Sequence, residues 1–245
     1  MGALHAGHAE LIRRARELSD EVIVSIFVNP LQFENKEDLE KYPRTPERDE
    51  ETAKSAGATR VWFPTYEEIY PAGFTKLSAG KLGEIYEGAS RPGHFDGVVT
   101  VVRRLFDIVK PDIALFGEKD FQQLALIKTI AEDVKIVEVP IVRESDGLAL
   151  SSRNVRLTTQ GRTAAPIIYK ALTEAKKKES VRDMEVTLRD VLSTEPLFTL
   201  DYADVIDSKT FEKALDTTVH KRALVAGWIN GVRLIDNMSM ERGAR

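Results

Sequence analysis

Apolar and polar positions along the chain follow two rhythms as far as Asn154. EVIVSIFVN, from Glu21 to Asn29, is a short continuous apolar run rich in β-branched residues, the pattern of a strand buried on both faces. RVWFP from Arg60, DIALFG from Asp112 and KIVEVPIVR from Lys135 repeat it. Between these runs the spacing is helical. Leu11, Ile12, Ala15 and Leu18 share one face, with Arg13, Arg14, Arg16 and Glu17 on the other. Thr45, Pro46 and Gly57 read as N-cap, first helical residue and terminator of a second helix. Val98, Val101, Val102, Leu105 and Val109 form the clearest stripe, with Asp96 as its expected cap. Strand and helix in alternation predict a parallel sheet covered on both faces.

Beyond Asn154 the pattern changes. GRTAAPIIYKALTEAKKK and VRDMEVTLRDVL read as two helices, with Lys176 to Lys178 at a solvated helix end. LDYADVID reads as a strand and ALVAGWINGVRLID as a hairpin, because Asn230-Gly231 suits a two-residue turn that needs positive φ twice. The expected organisation is therefore an α/β catalytic domain over residues 1–154 and a small α+β domain over residues 155–245 with an antiparallel hairpin.

Composition narrows the function classes. The chain has 245 residues, 42% hydrophobic and 30% charged, with a net charge of −4. That is a globular composition with no basic excess to suggest nucleic acid. Without cysteine, disulfides, thiolate metal sites and cysteine nucleophiles are excluded. No apolar run is long enough to span a bilayer, and a cytoplasmic location is the default expectation.

Polar clusters fall at the ends of the expected strands, where open parallel sheets bind ligands. His5 and His8 in HAGH precede a helix, so glycine, backbone N–H groups and helix dipole could together receive phosphate; two surface histidines in a loop would look the same. GEKDFQQL offers Lys119 for phosphate, Asp120 as a helix cap or for a ribose hydroxyl or metal-bound water, and Gln122 and Gln123 as amides; a capped helix with a solvent-facing lysine is the plainer reading. In DGLALSSRN, Ser151, Ser152 and Arg153 could close over a triphosphate or form an ordinary polar turn. FVNPLQF places Asn29 and Gln32 at a strand end, as an amide pair for a hydroxy acid or a turn. EGASRPGHFDGV packs Glu87, Arg91 and His94 into a glycine-rich loop, for a site or as a simple Arg91–Glu87 pair.

In this order, MGALHAGH, FVNPLQF, DLEKYPRT, EGASRPGHFDGV, FGEKDFQQLALI, DGLALSSRN and GVRLIDN resemble the pantothenate synthetase (pantoate–β-alanine ligase) family of the nucleotidyltransferase superfamily. The resemblance implies a Rossmann-like domain, a small C-terminal domain that closes over the site, and a homodimer. It implies ATP, as its Mg²⁺ complex, activating (R)-pantoate to pantoyl adenylate with release of pyrophosphate, after which β-alanine displaces AMP; no covalent enzyme intermediate is needed. Carried over by position, Met1, Gly2, Ala3, Leu4, His5, Ala6, Gly7 and His8 surround ATP, with His8 as proton donor and His5 beside it. Gly117, Glu118, Lys119 and Asp120 match a second ATP segment, with Lys119 neutralising phosphate charge. Val142 matches the adenine contact, and Leu150, Ser151, Ser152 and Arg153 a third ATP segment. Gln32 and Gln123 match the amides that hold pantoate, Gln32 also lying by β-alanine. Glu87, Arg91 and His94 match a family motif without an assigned role, and no protein metal ligand is expected.

The chain also departs from the family. Family members carry a further strand before the methionine of MGALH, central in a Rossmann-type order. The expected fold is therefore a Rossmann-like sheet without its first strand, with Met1 read as an internal methionine. Beside that reading stand replacement of the strand by another segment or a partner chain, and imperfect folding with loss of activity. For function two other readings stay open: another HxGH nucleotidyltransferase, which would not be expected to carry FVNPLQF and FGEKDFQQ, or a truncated nucleotide-binding protein without turnover.

Overall fold

The computed structural model describes residues 2–33, 39–40 and 42–241. The chain divides into two compact units, Met1–Val142 and Arg143–Arg245. In the first, β1 (Ile23–Ser25) pairs in parallel with β2 (Arg60–Trp62), and β3 (Ile113–Gly117) with β4 (Lys135–Val139). Parallel neighbours need a crossover. α2 (Pro46–Ser55) supplies one between β1 and β2, and α6 (Phe121–Thr129) the other between β3 and β4. α1 (Ala6–Leu18) precedes β1; α3 (Tyr66–Ile69), α4 (Glu87–Ser90) and α5 (His94–Val109) lie in sequence between the two ladders.

Two apolar clusters hold this unit. Leu4 before α1 and Ala9 and Ile12 within it pack with Val22, Val24 and Ile26 around β1 and with Ala53 of α2 and Ala56 just past its end. α5 and α6 bury Phe95, Val98, Val102, Phe106, Leu126 and Ile127 against Ile69 and Tyr70. Several expectations change. The ladder in β1 spans only Ile23–Ser25, extended by Ile26 donating its N–H to Trp62, before the turn at Asn29-Pro30. β3 is half-buried at every position rather than buried on both faces, having β4 as its one partner strand among the described residues. Leu18, in the last turn of α1, is 41% exposed. Asp96 does not cap α5: the helix starts at His94 behind Gly93 (φ 75°), and Asp96 accepts from the Ala79 N–H at 2.8 Å.

The second unit contains α7 (Thr159–Ala164), α8 (Ile167–Ala175) and α9 (Val181–Ser193), followed by the antiparallel sheet β5 (Phe198–Asp207), β6 (Lys221–Ile229), β7 (Val232–Ser239) in that order. Three helices replace the two expected because Pro166, which cannot donate a backbone hydrogen bond, divides α7 from α8. The hairpin turn is as its sequence implies, with φ of 48° at Asn230 and 75° at Gly231. Leu172, Leu188, Leu192, Val205, Ala223 and Val225 are among its core residues. Residues 143–154, expected in the first domain, fall in the second unit. Arg143 donates to both carboxylate oxygens of Asp236 on β7, at 2.6 and 2.9 Å, and lies 4.6 Å over the Tyr169 ring.

Candidate active site

His5 has extended backbone (φ −133°) at the N-cap of α1. Its Nδ1 accepts from the Gly7 N–H at 3.1 Å, and Nδ1 of His8 accepts from the His5 N–H at 3.3 Å. A backbone amide can only donate, so both Nδ1 atoms hold lone pairs and both neutral rings carry their proton on Nε2. The ring centroids are 4.1 Å apart. Burial first and His5 second push the His8 pKa down to about 3, with a smaller push from Lys119 and with Asp120 opposing. Burial first and Lys119 second lower His5 in the same direction.

The turn before His5 is held from α2. Asp49, only 1% exposed, accepts the Ala3 N–H at 2.9 Å and the Leu4 N–H at 2.7 Å, and the Thr45 hydroxyl donates to it at 2.9 Å. Ala3 sits in the left-handed region (φ 49°), a strain these bonds offset. Thr45, expected as a backbone cap, instead braces Asp49 and makes no side-chain bond to the helix backbone. Pro46 and Gly57 stand at the start and beyond the end of α2 as the sequence implies. Met1 lies outside the described residues.

Gly117 ends β3, and Glu118–Asp120 form a 3-10 turn into α6. The Lys119 ammonium is mostly buried, 3.9 Å from the Asp120 carboxylate. Its charge and that of Asp120 both act on His5 and His8, so this turn and the histidine turn share one electrostatic environment.

A second polar cluster surrounds Gln32. Asn29, 2% exposed, accepts the Leu31 N–H at 3.2 Å and the Tyr70 hydroxyl at 2.7 Å; it donates to the Gly97 carbonyl at 3.0 Å and to Oε1 of Gln32 at 3.3 Å. Burial raises the Tyr70 pKa well above the usual phenol value, so its proton stays in place for that bond. α5 meets the Pro30–Gln32 turn so closely that a Cβ on Gly97 would lie 2.2 Å from the Leu31 oxygen and 2.7 Å from the Gln32 nitrogen. His94 Nδ1 is 2.9 Å from the Gln32 carbonyl oxygen, to which Arg91 also donates at 3.5 Å. Gln122 is a buried brace: it donates to the carbonyls of Leu82 and Ile85 and accepts the Glu87 N–H at 3.1 Å. Gln123, one position on along α6, is half-buried.

A family model described as Pantoate-beta-alanine ligase matches residues 1–239. The chain belongs to the pantoate–β-alanine ligase family. A pantothenate synthetase of Marinobacter nauticus is 46% identical over 99% of this chain and 90% of its own length. A pantoate–β-alanine ligase of Schizosaccharomyces pombe is 45% identical over 97% and 88%. Among solved structures, a pantothenate synthetase from Thermus thermophilus matches at TM-score 0.94 and 42% identity, covering 99% of this chain and 91% of its own. A pantoate–β-alanine ligase from Francisella tularensis, complexed with beta-gamma ATP and β-alanine, matches at TM-score 0.80 and 36% identity, covering 99% and 88%.

For a pantoate–β-alanine ligase, the structure brings Lys119 and Asp120 within electrostatic reach of His5 and His8, and gathers Gln32 with Asn29, Tyr70, Arg91 and His94, all in the first unit. Val142 ends that unit, and Leu150, Ser151, Ser152 and Arg153 belong to the second, where the Ser151 hydroxyl accepts the Arg153 N–H at 3.2 Å. Sequence reasoning missed Asp49 and Tyr70. On a helix whose first turn is acidic, Asp49 looks like a solvated dipole partner, and Tyr70 reads as one aromatic among several.

Proposed function

We propose that this chain condenses (R)-pantoate with β-alanine at the expense of ATP in two steps. In the first, a pantoate carboxylate oxygen attacks the α-phosphorus of ATP and the bond to the bridging oxygen breaks, giving pantoyl adenylate and pyrophosphate. In the second, the β-alanine amine attacks the acyl carbon, the bond to AMP breaks and the amine loses a proton. The observation that carries the reading is the pair of Nε2–H donors on His5 and His8, oriented by backbone amides at a helix N-terminus and sharing the charge of Lys119.

Such an arrangement stabilises charge rather than transferring a proton. Preorganised donors act where negative charge accumulates, on the α-phosphate and the departing pyrophosphate. His8, kept neutral by burial, serves as a hydrogen-bond donor, and Lys119 supplies the net positive charge that a neutral imidazole lacks. Gly2–Gly7 form the turn that faces the nucleotide; the N–H groups of Ala3, Leu4, His5 and Gly7 are spent on Asp49 and on the histidine rings, so the turn contributes through the imidazole N–H groups it orients. Gln32 and Gln123 hold pantoate. Val142 and Leu150–Arg153 are nucleotide contacts on the strength of the family resemblance alone, the homodimer rests on that resemblance as well, and the cytoplasmic location is the default expectation from the sequence. Magnesium enters with ATP as part of the substrate, bound through the phosphates.

The test is pyrophosphate release with ATP, pantoate and β-alanine supplied in turn. The ligase releases pyrophosphate only when pantoate is present and AMP only when β-alanine is added. A nucleotidyltransferase that ignores pantoate, or a binding protein that releases nothing, gives a different result at the first addition.

A further inference from the structure

We propose that His94 and Arg91 are positioning residues that clamp the main chain of Gln32, so that its side-chain amide, turned by Asn29, presents N–H groups and not its oxygen to the bound hydroxy acid. The proposal rests on the reading of Gln32 as a pantoate contact and deepens it.

The polarity follows from main-chain groups whose roles are fixed. The Leu31 N–H can only donate and the Gly97 carbonyl can only accept, so the Asn29 amide has one orientation, oxygen toward Leu31 and nitrogen toward Gly97. Tyr70 donates to that oxygen and reinforces the orientation. The Asn29 nitrogen also faces Gln32 at 3.3 Å, so the Gln32 atom there is its oxygen. Rotating the Gln32 amide by half a turn would set two NH₂ groups against each other. Its Nε2 therefore faces away from Asn29 and offers two N–H donors.

The main chain of Gln32 is held by the same logic. A guanidinium can only donate, so at 3.1 Å from Arg91 the His94 Nε2 is an acceptor. The ring proton then sits on Nδ1 and is donated to the Gln32 carbonyl at 2.9 Å. Arg91 donates to the same oxygen at 3.5 Å. His94 is buried at the first turn of α5, and that helix approaches the Pro30–Gln32 turn at a distance only Gly97 permits. Side chain and carbonyl of Gln32 are thus each tied, through Asn29 and through His94 with Arg91.

An amide fixed in this sense selects an acceptor. A carboxylate or hydroxyl oxygen of pantoate satisfies it, whereas an ammonium group meets donors only. The motif EGASRPGH acquires a role through its last histidine and its arginine, one residue removed from the reacting atoms.

The decisive measurement is a kinetic double-mutant cycle on the full chain, following KM for pantoate and ATP and kcat, with thermal melts as the check on folding. Gln32→Ala and His94→Leu are each expected to raise the pantoate KM about tenfold, the loss of one oriented hydrogen bond, with the ATP KM little changed. In the Gln32→Ala background His94→Leu adds nothing, because there is no side chain left to orient. His94→Asn, whose amide nitrogen can stand in for Nδ1, restores most of the affinity. Arg91→Met follows the same cycle and carries the test if His94→Leu fails to fold. Equal effects of His94→Leu in both backgrounds overturn the positioning role while leaving Gln32 as a pantoate contact. An unchanged pantoate KM in Gln32→Ala overturns both.

Discussion

His8 would gain from a positive charge at a phosphate, yet burial and the neighbouring His5 and Lys119 hold its pKa near 3. The same shift sets a pH dependence of stability. The unfolded histidine binds its proton near pH 6.5, while the folded one stays neutral until about pH 3. Between those values the unfolded chain holds more protons, so stability is full above pH 6.5 and falls as pH drops toward 3. Urea unfolding at pH 7 and pH 5 should therefore show a larger loss in the native chain than in His8→Gln. Asp49 makes a second demand at this scale. Asp49→Asn replaces one of the two carboxylate oxygens with an NH₂, so one of the Ala3 and Leu4 amides loses its acceptor, at a cost of about 1–3 kcal/mol read as a lower thermal midpoint. Because those amides belong to Ala3 and Leu4, the KM for ATP should rise with it. Lys119→Ala should slow pyrophosphate release far more than the β-alanine step, since only the first step expels pyrophosphate.

At the scale of elements, close approach matters more than propensity. Gly97→Ala places a methyl against the Leu31 oxygen and the Gln32 nitrogen, so α5 must move off the Pro30–Gln32 turn. We expect a loss of about 1–3 kcal/mol by denaturant unfolding, together with a raised KM for pantoate. In the second unit Asp236 is buried and held by both arms of Arg143. Asp236→Ala leaves that guanidinium without its counter-charge and should cost about 3–5 kcal/mol. The stripe of α5 and the Asn230-Gly231 turn were legible in the sequence, because period and turn chemistry are local signals. The division of α7 from α8 was available at Pro166 but outweighed by the continuous apolar spacing around it. Asp96 and Thr45 looked like caps because cap chemistry is read from neighbours in sequence. Their actual partners are Ala79, remote from Asp96 in sequence, and the Asp49 side chain rather than a backbone amide.

For the whole molecule, each unit has a core of its own, and the segment 143–154 goes with the second through the Arg143–Asp236 pair, a contact across 93 positions that no local pattern announces. The order of motifs was enough to reach the family, while the roles of Asp49, Tyr70, Arg91 and His94 needed contacts between distant segments. The proposed chemistry is that the histidine turn and Lys119 activate pantoate on ATP. It is tested most directly by pyrophosphate release from ATP and pantoate without β-alanine, in the native chain and in His8→Ala. The native chain should form pyrophosphate in proportion to enzyme and only with pantoate, and His8→Ala, still folded, should do so about 10²–10³-fold more slowly. Pyrophosphate release at the native rate by a folded His8→Ala would contradict the claim.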